Sequence, residues 1–117
     1  MPWTVVTHDE FDPEFDALPE EVRDELLAAM LALSERGPSL GRPLVDTLNA
    51  RTMKNLKELR FRANDGVWRF AFAFDPKQRA IVLCGGDKSG VSETRFYKAL
   101  IRKAEARFAS WILKEKH

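Results

Sequence analysis

Leu56-Lys57-Glu58-Leu59-Arg60-Phe61-Arg62-Ala63-Asn64-Asp65-Gly66-Val67-Trp68-Arg69-Phe70-Ala71-Phe72-Ala73-Phe74-Asp75-Pro76 is the stretch on which the fold turns. Two apolar and aromatic runs, about 55 to 62 and 67 to 75, flank Ala63-Asn64-Asp65-Gly66, whose Asp-Gly pair is a hairpin turn signal. Successive side chains of a strand point to opposite faces of a sheet. In the second run Trp68, Phe70, Phe72 and Phe74 therefore share one face, and Arg69, Ala71 and Ala73 share the other. In the first, Leu59 and Phe61 fall together, with Glu58, Arg60 and Arg62 opposite. Pairing core with core across the hairpin puts Arg60, Arg62 and Arg69 on one outer face. The two alanines are expected to leave it a shallow, open, cationic concavity. Guanidinium forks suit phosphate, which makes RNA a natural ligand. Equally, such a face can be an ordinary solvated one whose arginines pair with Glu58, Asp65 or acidic helices.

Working outward, Asp75-Pro76-Lys77-Gln78 leads to a third strand over about 79 to 87. Strict alternation places its Ile81 and Leu83 with the aromatic core and Val82, Cys84, Gly86 and Lys88 on the opposite side, with Lys88 near the arginines. Ser92 then caps a helix over about 92 to 115 that carries Phe96, Leu100, Ala104, Phe108 and Trp111 in one stripe. Upstream, residues 3 to 8 are β-branched and aromatic, the composition of a short strand. Thr7 and Glu10 offer a capping box for a helix over about 9 to 17. Pro19 starts a second helix, with Val22, Leu26, Leu27, Met30, Leu31 and Leu33 at helical spacing, and Gly37-Pro38 stops it. Residues 37 to 55, with Gly37, Pro38, Gly41, Pro43 and Asn49, read as an irregular connection. The expected fold is an α+β domain spanning 1–117. It has a mostly antiparallel four-stranded sheet, an N-terminal helical hairpin and a C-terminal helix.

The formal net charge of +1 hides a polarity along the chain. Residues 1 to 36 hold ten acids against Arg23 and Arg36, a balance of −8, which leaves +9 for the remainder. Either one part of the fold faces a polyanion, or the two parts attract each other across it. No run approaches the roughly 18 uncharged apolar residues of a membrane span, and the amino end lacks the layout of a signal peptide, so a cytoplasmic protein with no membrane partner is expected. Cys84 is alone and sits in an apolar run, the setting of a packing thiol. Two histidines and one cysteine make no zinc set. His8 ends the first strand far from the basic cluster and is expected to be structural, while His117 is a chain end expected to be mobile. Asp9, Asp12 and Asp16 share a helical side, expected to be a solvated face and not a magnesium site. No metal or other cofactor is expected.

The run from Leu56 to Arg62, the glycine turn, and Val67 to Pro76 together resemble the strand pair of RelE/HigB toxins, especially the phage Gp49-like branch. That branch reads x-L-x-E-L-R-x, glycine, aromatic-Arg, then an apolar strand ending in Asp-Pro. Gly86-Asp87-Lys88 and the Tyr97-bearing helix correspond in order and spacing, so the likeness covers nearly the whole chain. The resemblance implies a RelE-like fold and the toxin of a type II toxin–antitoxin system. The implied activity is a metal-independent mRNA endoribonuclease acting on translating ribosomes, in which the 2′-hydroxyl attacks the neighbouring phosphate. By that resemblance Arg60 and Arg69 hold the phosphate and stabilise the transition state, with Arg62 in support. Lys88 contacts the leaving group or phosphate, Tyr97 stacks on a base or handles a proton, and Lys54 and Lys57 extend the RNA track. It also implies a cognate antitoxin, commonly with a helix-turn-helix domain, alongside mRNA and the ribosome as partners. Some nuclease relatives carry lysine where Glu58 stands here, so Glu58 is either the base itself or a weakening of the site. Two other readings remain: a ParE-like inhibitor of DNA gyrase, which needs no catalytic cluster, and a non-catalytic RNA-binding module.

Overall fold

The computed structural model describes residues 2–115, so His117 lies outside the described residues. Five strands form one mixed sheet: β1 (Thr4–Thr7), β2 (Val45–Thr47), β3 (Lys57–Ala63), β4 (Gly66–Phe74) and β5 (Arg79–Asp87), in the order β1-β5-β4-β3-β2. Three pairs are antiparallel, and β1 runs parallel to β5 with Thr4 opposite Arg79. The expectation of four strands is thus corrected by β2, which lies inside the stretch read as irregular. Val45 buries its side chain opposite Leu59, and three residues suffice because the partner strand supplies the ladder.

Asn64 and Asp65 form the tip of the β3–β4 hairpin, both with positive φ (49° and 59°), between the paired Ala63 and Gly66. This is the two-residue connection whose twist matches the strands it joins. Asp75 fastens the next turn: its Oδ1 accepts from the backbone N–H of Lys77 and Arg79, and its Oδ2 accepts from Arg79 Nε and Trp111 Nε1 at 2.8 and 3.1 Å.

Helices α1 (Asp12–Asp16), α2 (Glu20–Arg36) and α3 (Glu93–Glu115) complete the chain. The first is five residues, not the nine expected, so the anticipated hairpin reduces to one short turn ahead of α2. Its capping box does not form: Thr7 gives its hydroxyl to Asp12, and the Glu10 backbone N–H goes to His8 Nδ1 at 3.0 Å. At the other end of α2 the chain turns at Gly37, where φ is +56° and an added Cβ would collide with the Trp3 ring.

Both sheet faces are packed. On one, Val22, Leu26, Ala29 and Leu33 of α2 meet Leu59, Phe70, Phe72 and Val82. On the other, Leu100 and Ala104 of α3 meet Ala71, Ala73, Ile81 and Leu83. Ile81 and Leu83 therefore belong to the face opposite the one that strict alternation gives them. The cause is a bulge: Ala71 pairs with Cys84 and Phe72 with Val82, so Leu83 is an extra residue and the phase of β5 slips by one. The face expected to stay open is covered by α3. Among the described residues no helix is long and apolar enough to cross a membrane.

Candidate active site

Arg60 and Arg69 stand directly opposite each other on β3 and β4, which puts both side chains on the α3 face of the sheet. Two residues along β3, Glu58 shares that face, and α3 brings Tyr97 down onto it. Tyr97 donates its hydroxyl to Glu58 Oε1 at 2.9 Å and accepts from Arg69 Nε at 3.2 Å. Arg69 Nε also lies 3.7 Å from Glu58 Oε1, and Arg60 Nε lies 3.8 Å from Glu58 Oε2. Glu58 is thus the hub of the group, with its side chain only 6% exposed. Burial pushes its carboxyl above the usual glutamate range, outweighing the Tyr97 hydrogen bond and the two guanidinium charges that pull the other way. Tyr97 is raised too, by burial first and then by its bond to Glu58.

A pocket of about 420 Å³ opens beside this group, with Glu58, Arg60 and Tyr97 in its wall and Asp46, Asn49, Glu93 and Ile101 around it. Arg60 lines it at 29% side-chain exposure; Arg69, at 9%, lies beneath and spends Nη1 on the Trp68 carbonyl at 3.0 Å. Arg60 Nε is buried and has no hydrogen-bond partner among the described residues. Its nearest carboxylate oxygen is Glu58 Oε2, beyond hydrogen-bond reach, so the Nε edge of Arg60 is held by charge and not by a hydrogen bond. Asp46 meets Arg60 Nη1 at 3.4 Å and is held harder by Arg42, whose Nη2 is 2.7 Å away. That hydrogen bond from Arg42, with another from the Thr47 N–H, lowers the Asp46 carboxyl. Lys88, beyond the end of β5, reaches Glu93 at 2.6 Å, and this bond is the first cause of the lowered Glu93 carboxyl.

Of the residues singled out from the sequence, Arg60, Arg69 and Tyr97 come together, and Lys88 stays outside the pocket lining, paired with Glu93 of its wall. Arg62 is on the same face but exposed, and Lys54 is exposed in the turn before β3. Lys57 pairs with Phe72 and so sits on the α2 face, away from the group. The cationic concavity is corrected to a balanced cluster, in which Glu58, Asp46 and Glu93 face Arg60, Arg69 and Lys88. Asp46 and Glu93 escaped sequence reasoning. The strand that carries Asp46 is only three residues long, too short for its β-branched flanks to mark it, and the spacing of Glu93 from Lys88 was compatible with a pair across the helix start.

Other candidates resolve as structural. His8 is buried, accepts from Glu10 N–H at Nδ1 and lies 3.1 Å from Ser110 Oγ through Nε2. Burial pushes the Cys84 thiol up to about 12, so it packs and does not react. Asp9 pairs with Lys114 at 3.2 Å, and Asp12 accepts from the Thr7 hydroxyl.

Residues 13–109 match the family described as phage-derived protein Gp49-like. Two Mycobacterium tuberculosis (strain H37Rv) proteins that carry toxin names are similar. HigB3 is 42% identical over 101 residues, 86% of this chain and 86% of HigB3. HigB2 is 41% identical over 98 residues, 83% of this chain, and the chain spans about half of HigB2's length (48%). Among solved structures, the E. coli toxin RelE, an arginine double mutant in the free state, superposes with a TM-score of 0.62. It has 14% identity, over 88% of this chain and 97% of that one. The archaeal RelE–RelB complex from Pyrococcus horikoshii OT3 gives 0.56 at 18% identity, over 78% of this chain and 100% of that one. At those identities the structural likeness speaks for the fold.

Proposed function

The chain belongs to the phage-derived Gp49-like family of RelE/HigB toxins, and from that premise we propose that it is the toxin of a type II toxin–antitoxin system that cleaves mRNA without a metal. One observation supports this most: the cross-strand pair Arg60 and Arg69 both approach a buried carboxylate, Glu58, and Glu58, Arg60 and Tyr97 together line the wall of a pocket.

The balance of charge must be reconciled with a polyanionic substrate. Asp46 is only partly buried and Glu93 is exposed, and water and salt screen such pairs, so a phosphodiester can displace them. Glu58 cannot leave. A carboxylate that burial has made more basic, beside a guanidinium, is suited to take the proton of a ribose 2′-hydroxyl. The freed oxygen attacks the adjacent phosphorus, and Arg60 stabilises the charge that gathers on the phosphoryl oxygens. The bond to the 5′-oxygen breaks, giving a 2′,3′-cyclic phosphate, and Lys88, released from Glu93, protonates the departing 5′-oxygen. Arg69 is a positioning residue that fixes Tyr97 and Glu58 from below. Arg62 and Lys54 lie where they can follow the strand. Translating ribosomes would present the message, the cytoplasm is the compartment, and a cognate antitoxin, commonly a helix-turn-helix protein, would restrain the activity.

Primer extension on mRNA from cells expressing the chain, run beside a gyrase supercoiling assay, tests the reading. Discrete message breaks with unaffected supercoiling are expected, and Arg60→Ala should abolish both the breaks and the growth arrest. Cleavage should persist in EDTA. Intact message with blocked supercoiling would instead identify a ParE-like gyrase inhibitor, and RNA binding without either effect a non-catalytic module.

A further inference from the structure

On the face of α2 turned away from the sheet, Glu20, Asp24, Leu27, Leu31 and Glu35 follow one another at helical spacing, so that two leucines are bracketed by acids. Leu27 is 52% and Leu31 63% exposed, although the same helix buries Val22, Leu26, Ala29 and Leu33. Beside Leu27 a groove of about 330 Å³ runs between α1 and α2, with Phe15 and Met30 supplying apolar surface and Asp12 and Asp16 at its edge. The surroundings are strongly acidic. Of the ten carboxylates in residues 1 to 36, Glu14 and Asp9 are drawn to Arg107 and Lys114 of α3, while Asp16, Glu20, Asp24 and Glu35 face solvent around the leucines. Paired exposed leucines at helical spacing next to an apolar groove are the layout that receives the apolar side of another helix, and a ring of acids selects one whose flanks are basic.

We propose that the α1–α2 surface docks a basic amphipathic helix of another protein, with its apolar side on Leu27, Leu31 and the Phe15–Met30 groove. The surface lies across the sheet from Glu58 and Arg60, so its occupation leaves the pocket uncovered. The inference therefore stands or falls independently of the nuclease reading.

The test uses the full chain and a lysine-rich helical peptide with leucines along one side, against a scrambled peptide of identical composition. Titration followed by amide chemical shifts should show perturbations gathered on α1 and α2 with the amphipathic peptide alone. Leu27→Ser with Leu31→Ser should weaken binding at least about tenfold. Both side chains are exposed, so the fold should survive, and circular dichroism checks this. Asp24→Lys with Glu35→Lys should weaken it as well and should steepen its fall on adding salt less than the wild type does. Equal binding of the scrambled peptide, shifts elsewhere on the chain, or no binding overturns the proposal. So does a homodimer in solution that the leucine substitutions dissolve, since a second copy would then be the occupant.

Discussion

Glu58 is where the demands of stability and of chemistry part. A carboxyl raised by burial favours its neutral form in the folded state. Its contribution to stability is complete below the unfolded value and is lost as pH rises through the raised folded one. Glu58→Gln cannot ionise, so its melting temperature should improve relative to wild type as pH rises through the raised value, against a pH-independent loss from leaving Arg60 and Arg69 without their shared counter-ion. Catalysis has the opposite sign, because a base must be ionised to accept a proton. Wild-type cleavage should climb with pH through the raised Glu58 value, and Glu58→Gln should lose roughly 10²–10⁴-fold in rate with that pH limb flattened. A thermal melt and a pH–rate profile on the same two proteins check both halves. A variant that cleaves at full rate would remove Glu58 from the chemistry. Tyr97→Phe should fall between, since it removes the bond holding Glu58 but leaves the carboxylate.

At the scale of elements, the acidic start of the chain is tied to its basic end. Arg107 of α3 gives bidentate bonds to Glu14 of α1 at 2.5 and 2.9 Å and a third to the Leu83 carbonyl of β5 at 2.7 Å. Of the two meanings open for the charge polarity, this contact realises attraction within the fold. The Arg107 hydrogen bond is the chief reason the Glu14 carboxyl sits below its usual range. Its stabilising effect is present above the unfolded value and is lost as pH falls through the lowered one. Glu14 is 40% exposed, so solvent screens the pair, and Glu14→Gln should cost no more than about 1 kcal/mol by urea titration at pH 7 and converge with wild type in acid. A constant difference across pH would mean that shape, not charge, makes the contact. Which elements could be read in advance follows from their length. The period of α2 and α3, and the aromatic alternation of β4, extend over enough residues to be unambiguous. β2 offered three residues behind Gly41 and Pro43, and no pattern can establish itself in so few. The faces of Ile81 and Val82 were inverted by the bulge at Leu83, because alternation carries no mark of where a residue has been inserted. The arginine pair was legible because it depends on hairpin register alone. Glu58 was legible with it, whereas the other two balancing acids, Asp46 and Glu93, come from β2 and the start of α3, elements whose approach is tertiary.

Across the molecule, one sheet serves two cores, and the site exists because the second core is incomplete. α3 crosses the sheet face on Leu100 and Ala104, and near Tyr97 its packing gives way to polar side chains and the pocket. The alanines of β4 that suggested an open surface instead allow α3 to approach closely; larger side chains at Ala71 or Ala73 would lift the helix and withdraw Tyr97 from Glu58. The two layers should therefore be energetically inseparable. Leu26→Ala under α2 and Leu100→Ala under α3 each remove a buried leucine and should each cost about 2–5 kcal/mol. That is a large part of the roughly 5–15 kcal/mol a domain of this size holds. Because both cores share β4 and β5, each variant should still unfold in a single transition by fluorescence and circular dichroism alike. Leu100→Ala should differ in one respect: by loosening α3 it should also slow cleavage, whereas Leu26→Ala, packed on the far side, should retain the wild-type rate wherever it remains folded. Equal loss of rate in the two would show that the sheet transmits strain to the site from either face.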